Sequence, residues 1–203
     1  NQMKKILLSL LISFCAIFTA QSVNLDSLYK CLDKEINSSS IYVTEHENKI
    51  STLKKMLDEV EDSKEKYNIS FKIFKEYKSF INDSALTYIE KCIEFADKIN
   101  RKDLSDNCKS LLAFQCSTAG MYTESLDILR SINKKHLKKE GLGNYYIAFN
   151  HVYGELSYYT QLNHLRAFYA NKANAYRDSV YYTVDPSCED YLLKKEIQVM
   201  LYQ

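Results

Sequence analysis

Residues 103–132 read DLSDNCKSLLAFQCSTAGMYTESLDILRSI, and this stretch decides the fold. Leu104, Cys108, Leu111, Leu112 and Phe114 recur at helical spacing, so 103–119 predicts an amphipathic helix. Gly120 follows where a left-handed residue would end it. Residues 122–132 predict a second, shorter helix, and the whole is a helical hairpin. The composition agrees. The 203 residues include 4 Gly, 1 Pro, no Trp and 17 Tyr. So little turn chemistry excludes a β-sandwich or barrel, and no GxGxxG or GxxxxGK[ST] loop exists to cradle a phosphate. Lys and Arg number 27 against 26 acids, so no global charge draws the chain to nucleic acid or an anionic membrane.

Working outward, helices are predicted on both sides. Leu25, Leu28, Leu32 and Ile36 predict a helix over 25–37, broken by Ser38, Ser39 and Ser40. Val43, Ile50, Leu53, Leu57 and Val60 form the seam of a second, and the two are expected to pack antiparallel as an N-terminal hairpin over 23–62. Asp62 and Glu65 make a capping box that opens a helix carrying Tyr67, Phe71, Phe74, Tyr77 and Phe80. Asn82 and Asp83 are expected to stop that helix and cap the next, which carries Ala85, Leu86, Ile89, Ile93, Phe95 and Ala96. Residues 134–143 are a basic connection punctuated by glycine, 145–160 and 164–182 are Tyr-rich helices, and Asp185-Pro186 is a break. A last helix over 189–203 is still amphipathic at Gln203, which reads as a chain continuing into a larger architecture.

The hairpins repeat. Ala85, Ser125 and Ala167 are 40 and 42 residues apart. Leu112-Ala113, Gly120-Met121-Tyr122, Ser125 and Leu129 follow the tetratricopeptide (TPR) order: small residues let two helices approach, and Gly then an aromatic mark the turn. The match is degenerate. The period exceeds the usual ~34 residues, Cys116 stands for an aromatic and Leu137 for a terminal proline. The expected fold is all-α: a right-handed α-solenoid of TPR-like hairpins over 63–203, behind an N-terminal signal segment.

That segment is residues 1–22. Lys4 and Lys5 precede an apolar run over 6–18, too short for a bilayer span of ~20 residues and suited to a signal peptide; the alternative is a retained anchor. The protein is therefore expected to be exported, periplasmic or in the cell envelope. Of its six cysteines, Cys15 leaves with the signal, and Cys92, Cys108 and Cys116 fall in helices. Buried thiols are the expectation there, with one disulfide as the alternative. Cys108 and Cys116 cannot pair, since eight residues of helix rise ~12 Å.

In order along the chain, the signal-like start, Leu25-Asp26-Ser27-Leu28, Glu76-Tyr77-Lys78-Ser79-Phe80, Asp83-Ser84-Ala85-Leu86, Ala119-Gly120, Tyr145-Tyr146 and Asp178-Ser179 resemble the N-terminal sensor region of membrane-spanning transcriptional regulators of Bacteroidetes, the starch-utilisation regulator type. The resemblance implies TPR-like repeats outside the cytoplasmic membrane, followed by a transmembrane helix and a DNA-binding helix-turn-helix. It carries over no site residue.

No HExxH, CxxC or GxSxG occurs, and His46, His136, His151 and His164 pair with no carboxylate at metal-ligand spacing. No enzyme, cofactor or metal is expected. Lys134, Lys135, His136, Lys138 and Lys139 read as a solvated turn rather than a nucleic-acid site. Tyrosine is the one excess. Tyr145, Tyr146, Tyr153, Tyr158 and Tyr159 are the candidate binding residues, because Tyr joins an apolar ring to a polar tip; the alternative is that these rings fill helix interfaces. Gly120 and Asp83 are the candidate turn residues. The expected role is a non-enzymatic exported sensor or protein-interaction domain, with a free-standing periplasmic scaffold as the alternative. A protein or peptide partner is expected, with oligosaccharide as a second ligand class. Membrane contact is expected only through the N-terminal segment or a further C-terminal span.

Overall fold

The computed structural model describes residues 25–184 and 186. The expected signal segment and the expected helix over 189–203 lie outside them. The described residues form seven helices and one 3₁₀ turn: α1 (Leu25–Glu59), α2 (Ser63–Tyr77), α3 (Asn82–Lys98), α4 (Lys102–Thr118), α5 (Tyr122–Ser131), the 3₁₀ turn Lys134–His136, α6 (Lys139–Tyr159) and α7 (Asn163–Thr183). The fold is all-α, as the shortage of Gly and Pro dictated. By contacts the chain divides into two units, Asn1–Asn48 and Lys49–Gln203.

The described part of the first unit lies entirely within α1, with Leu25, Leu28, Leu32 and Ile36 exposed. The expected break at the serine triplet, and with it the N-terminal hairpin, is not formed. The hydroxyls bond back to carbonyls of their own helix instead: Ser38 Oγ to Lys34 O at 3.0 Å, Ser39 Oγ to Ile36 O at 2.6 Å. Serine that satisfies itself in this way is tolerated inside a helix.

In the second unit, α2 packs on α3, α3 on α4, α4 on α5 and α6, and α6 on α7. These are three hairpins: α2–α3, α4–α5 and α6–α7. The first helices begin at 63, 102 and 139 and the second at 82, 122 and 163, steps of 37 to 41 residues. The capping box at α2 is real on the Asp62 side, whose carboxylate accepts from the Glu65 N–H at 2.8 Å. Ile50 and Leu57 from the end of α1 join Tyr67, Ile73, Phe74, Ile89, Cys92 and Cys108 in one core cluster. Ala113, Leu129, Tyr145, Ala148, Phe149 and Val152 form the next.

The repeat register holds where small residues permit close approach. Ala85 and Ser125, each the fourth residue of its helix, are fully buried, and Ser125 Oγ donates to the Ala113 carbonyl across the hairpin at 2.7 Å. The third equivalent slips: Ala167 is the fifth residue of α7 and is exposed, while Ala173 and Val180 are the residues α7 buries.

Two turns share one construction. Gly120 has φ 80; its N–H bonds to Ser117 O at 3.1 Å and the next N–H, of Met121, reaches back to Cys116 O at 2.9 Å. Asn100 has φ 55, with Asn100 N–H to Asp97 O at 3.0 Å and Arg101 N–H to Ala96 O at 2.9 Å. Both are Schellman ends, in which one left-handed residue lets two orphan carbonyls be satisfied. A Cβ built on Gly120 would meet nothing within 4 Å, so glycine is needed there for its conformation alone and not to avoid the neighbouring helix.

Asp83 does not cap α3. Ile81 is the N-cap, through its carbonyl alone, because the chain leaves α2 in a turn that closes Ile81 N–H onto Tyr77 O and sets Ile81 extended. Asp83 lies in the first turn, where its charge suits the helix N-terminus. The connection after α5 is also shorter than expected, since α6 begins at Lys139 rather than 145. Gly141 and Gly143 sit inside its first turns, where a Cβ would press on Leu137 and Asn107 or on Val184.

Candidate functional site

The first helices of the three hairpins meet around a small cavity. Each offers residues three or four apart, which lie one above the other on a helix face. Phe74 comes from α2, with Lys78 at its C-cap; Leu111, Phe114 and Gln115 come from α4; Asn144 and Ile147 come from α6. The cavity holds about 120 Å³, room for one medium side chain. Its apolar surface is Phe74, Leu111, Phe114 and Ile147; Phe74 and Ile147 are buried. Polar groups stand among them. Gln115, 4% exposed, donates through Nε2 to the Lys78 carbonyl at 3.3 Å, which ties the end of α2 to α4. Asn144 Nδ2 donates to Asn107 Oδ1 at 2.9 Å, which ties α6 to α4. Further along the same pair of helices Ser117 Oγ and His151 Nδ1 are 2.6 Å apart, and the His151 ring lies 4.7 Å from that of Phe114. Lys78 is exposed and makes no ion pair among the described residues.

The basic stretch after α5 is anchored rather than free. His136 Nδ1 is 2.7 Å from Asp106 Oδ2, and Lys138 Nζ is 3.0 Å from Asp103 Oδ2. The Arg101 guanidinium, bonded to both Asp103 oxygens at 2.8 Å, and then Lys138 hold the Asp103 carboxyl well below the usual carboxylate range.

The five tyrosines chosen from the sequence separate into two sets, and none lines the cavity. Tyr145 is 8% exposed, stacked edge-on against Phe149 at 4.9 Å and Tyr146 at 5.6 Å; burial pushes its hydroxyl up to about 12. Tyr146 and Tyr153 face Tyr176 of α7 at 6.3 and 5.9 Å, beside a parallel Phe149–Tyr176 stack at 4.4 Å. These rings bind α6 to α7. Tyr158 and Tyr159, at the end of α6, are 78% and 60% exposed, and Tyr159 stacks on Tyr122 at 6.5 Å. The cavity residues were missed as a group. Only spacing could have flagged them, by placing Asn144 and Ile147 on a different stripe of α6 from Tyr145 and Tyr146.

Residues 36–202 match the family model described as the SusR N-terminal TPR domain. The chain belongs to this family. The match takes in part of α1 and all three hairpins, which accounts for the hairpin period and the Ala113–Ser125 crossing together. No curated protein and no solved structure was similar enough to match. This SusR-type domain is thus a TPR-like protein-interaction region of SusR-type regulators. Among its described residues no helix is long and apolar enough to cross a membrane, and no three His, Cys, Asp or Glu side chains gather as a metal site would need.

Proposed function

We propose that this TPR domain is the exported, sensing part of a SusR-type regulator, and that it takes an extended segment of a partner protein on the face shared by α2, α4 and α6. One observation carries the reading: three successive first helices converge on one cavity lined by apolar Phe74, Leu111, Phe114 and Ile147 together with polar Lys78, Gln115 and Asn144. A partner's apolar side chain fills the cavity, while the Lys78 ammonium and the side-chain amides bond to its backbone carbonyls or to a carboxylate. Export is supported by Lys4, Lys5 and the short apolar run over 6–18.

Peptides selected from a random display library against the wild-type domain test the binding reading. Truncating a central anchor of an interface typically costs more than 1 kcal/mol, about tenfold in affinity at 1.4 kcal/mol. Selected peptides should lose at least that against Leu111→Ala combined with Lys78→Glu, and bind Tyr158→Ala unchanged. Peptides that ignore the first change and depend on Tyr158 would move the site to the end of α6 and overturn the assignment. N-terminal sequencing of envelope protein tests export separately: a start at residue 23 or close to it is expected, and an intact Met3 in the cytosol would refute it.

A further inference from the structure

Cys92 and Cys108 face each other across the α3–α4 hairpin. The turn between these helices is centred on Asn100, which places the two cysteines eight residues to either side of it. In an antiparallel hairpin, positions equidistant from the turn are cross-helix neighbours. Both side chains are completely buried in one core cluster. Both also touch the same residue: Cys92 Sγ lies 4.0 Å from the Tyr67 carbonyl, and Cys108 Sγ lies 3.7 Å from the Tyr67 hydroxyl. The Cys108 thiol beside it, as hydrogen-bond partner, and then burial hold the Cys92 thiol far above its ordinary value. The structure has both as thiols.

We propose that Cys92 and Cys108 are a disulfide-forming pair that locks the α3–α4 hairpin when the chain folds in the presence of an exogenous disulfide. Among the described residues the other buried cysteine, Cys116, is two further helical turns along α4 from Cys108, and Cys31 belongs to the first unit. The oxidant is a small-molecule disulfide, RSSR, or a protein of the thiol–disulfide oxidoreductase class. One cysteine thiolate attacks a sulfur of RSSR and expels RS⁻, leaving a mixed disulfide. The second cysteine thiolate attacks the protein sulfur of that mixed disulfide and expels the other RS⁻. The two protons given up by the cysteines end on the two RS⁻, so two protein thiols become one disulfide and RSSR becomes two RSH. Thiolates are required, and the neighbouring thiol and burial suppress that of Cys92, while both sulfurs are closed off from any RSSR in the folded chain. The exchange therefore belongs to folding, or to opening of the hairpin, and not to the closed native state. This inference does not depend on the partner-binding reading; export decides only whether the chain meets an oxidant.

Tryptic mapping reads the pair directly, because Lys91, Lys98, Lys102 and Lys109 isolate Cys92 in peptide 92–98 and Cys108 in peptide 103–109. The full chain is unfolded with reductant, refolded with oxidised and reduced glutathione, alkylated and digested without reduction. A species with the combined mass of the two peptides less two hydrogens is expected. It should persist in Cys116→Ser and vanish in Cys108→Ser. The closed loop of 17 residues should raise the Tm by about 5–10 °C over the reduced protein, a difference that dithiothreitol removes. Native reduced protein should take up iodoacetamide at these two positions only after denaturant is added. Recovery of both peptides alkylated after oxidative refolding overturns the proposal. So does Cys92 or Cys108 linked to Cys15, Cys31, Cys116 or Cys188 instead, or a linked form that melts below the reduced one.

Discussion

Substituting Gly120 isolates the energy of one left-handed residue, because nothing else changes. Its φ of 80 is a conformation that an L-residue enters at a cost of ~1–2 kcal/mol. A Cβ there would touch no atom within 4 Å, so neither a clash nor a new contact adds to the balance. Alanine also narrows the unfolded ensemble, which returns ~0.4–1 kcal/mol. Gly120→Ala should then cost about 1 kcal/mol. Gly120→Val, whose branched Cβ tolerates this region least, should cost about 2 kcal/mol. Gly120→Asn should cost least, about 0.5 kcal/mol, because Asn100 already holds φ 55 in the sister turn. With a urea m-value of about 2 kcal/mol/M the valine variant loses about 1 M in midpoint. Urea titrations followed by far-UV circular dichroism, with m unchanged, give the order Gly, Asn, Ala, Val. Equal midpoints for glycine and valine would refute the left-handed turn. A valine loss well beyond ~3 kcal/mol would refute the open space around it.

Tyr145→Ala should cost about 3 kcal/mol, as aromatic truncations in cores do, whereas the exposed Tyr158→Ala should stay within ~0.5 kcal/mol; thermal melts of the two single variants compare them. Asp103 sets an acid limit on the anchored loop. Its folded pKa is depressed by Arg101 and Lys138, so its contribution is present above the unfolded value of ~3.9 and is lost as pH falls through the folded value. Between pH 5 and 2 the wild-type Tm should therefore fall more steeply than that of Asp103→Asn, and parallel curves would contradict the assignment.

The helical hairpins could be read from local chemistry because their signals are local. The Asp62 cap needs only Glu65 three residues on, and the α4–α5 crossing needs only small residues at 113 and 125. The misreadings arose where a residue type has two uses. Serine breaks some helices, yet Ser38 and Ser39 bond to carbonyls of their own helix; Asn100, a left-handed turn residue, carries no glycine to mark its turn. Glycine at 141 and 143 suggested a loop, and instead lets the start of α6 lie close to its neighbours. The cavity could not be read this way. Phe74, Gln115 and Asn144 come together only through the stacking of three hairpins, and no short-range pattern encodes that. The tyrosine count was real, but its main use inside the α6–α7 hairpin is ring stacking, seen in Phe149, Tyr153 and Tyr176.

The polar pairs between α4 and α6 have a mechanical consequence. Asn107–Asn144 and Ser117–His151 act as two pins set along one seam, with the buried Asp106 carboxylate holding the His136 turn beside them. Sliding α6 along α4 by one turn, about 5.4 Å, would unmake both pins and strand their polar atoms out of reach of partners. Rolling one helix against the other about the line through the two pins leaves both bonds nearly unchanged. The joint between these two repeats is therefore stiff to axial shear and hinged about the pinned seam, so a load applied at one hairpin passes to the next as a roll rather than a shift of register.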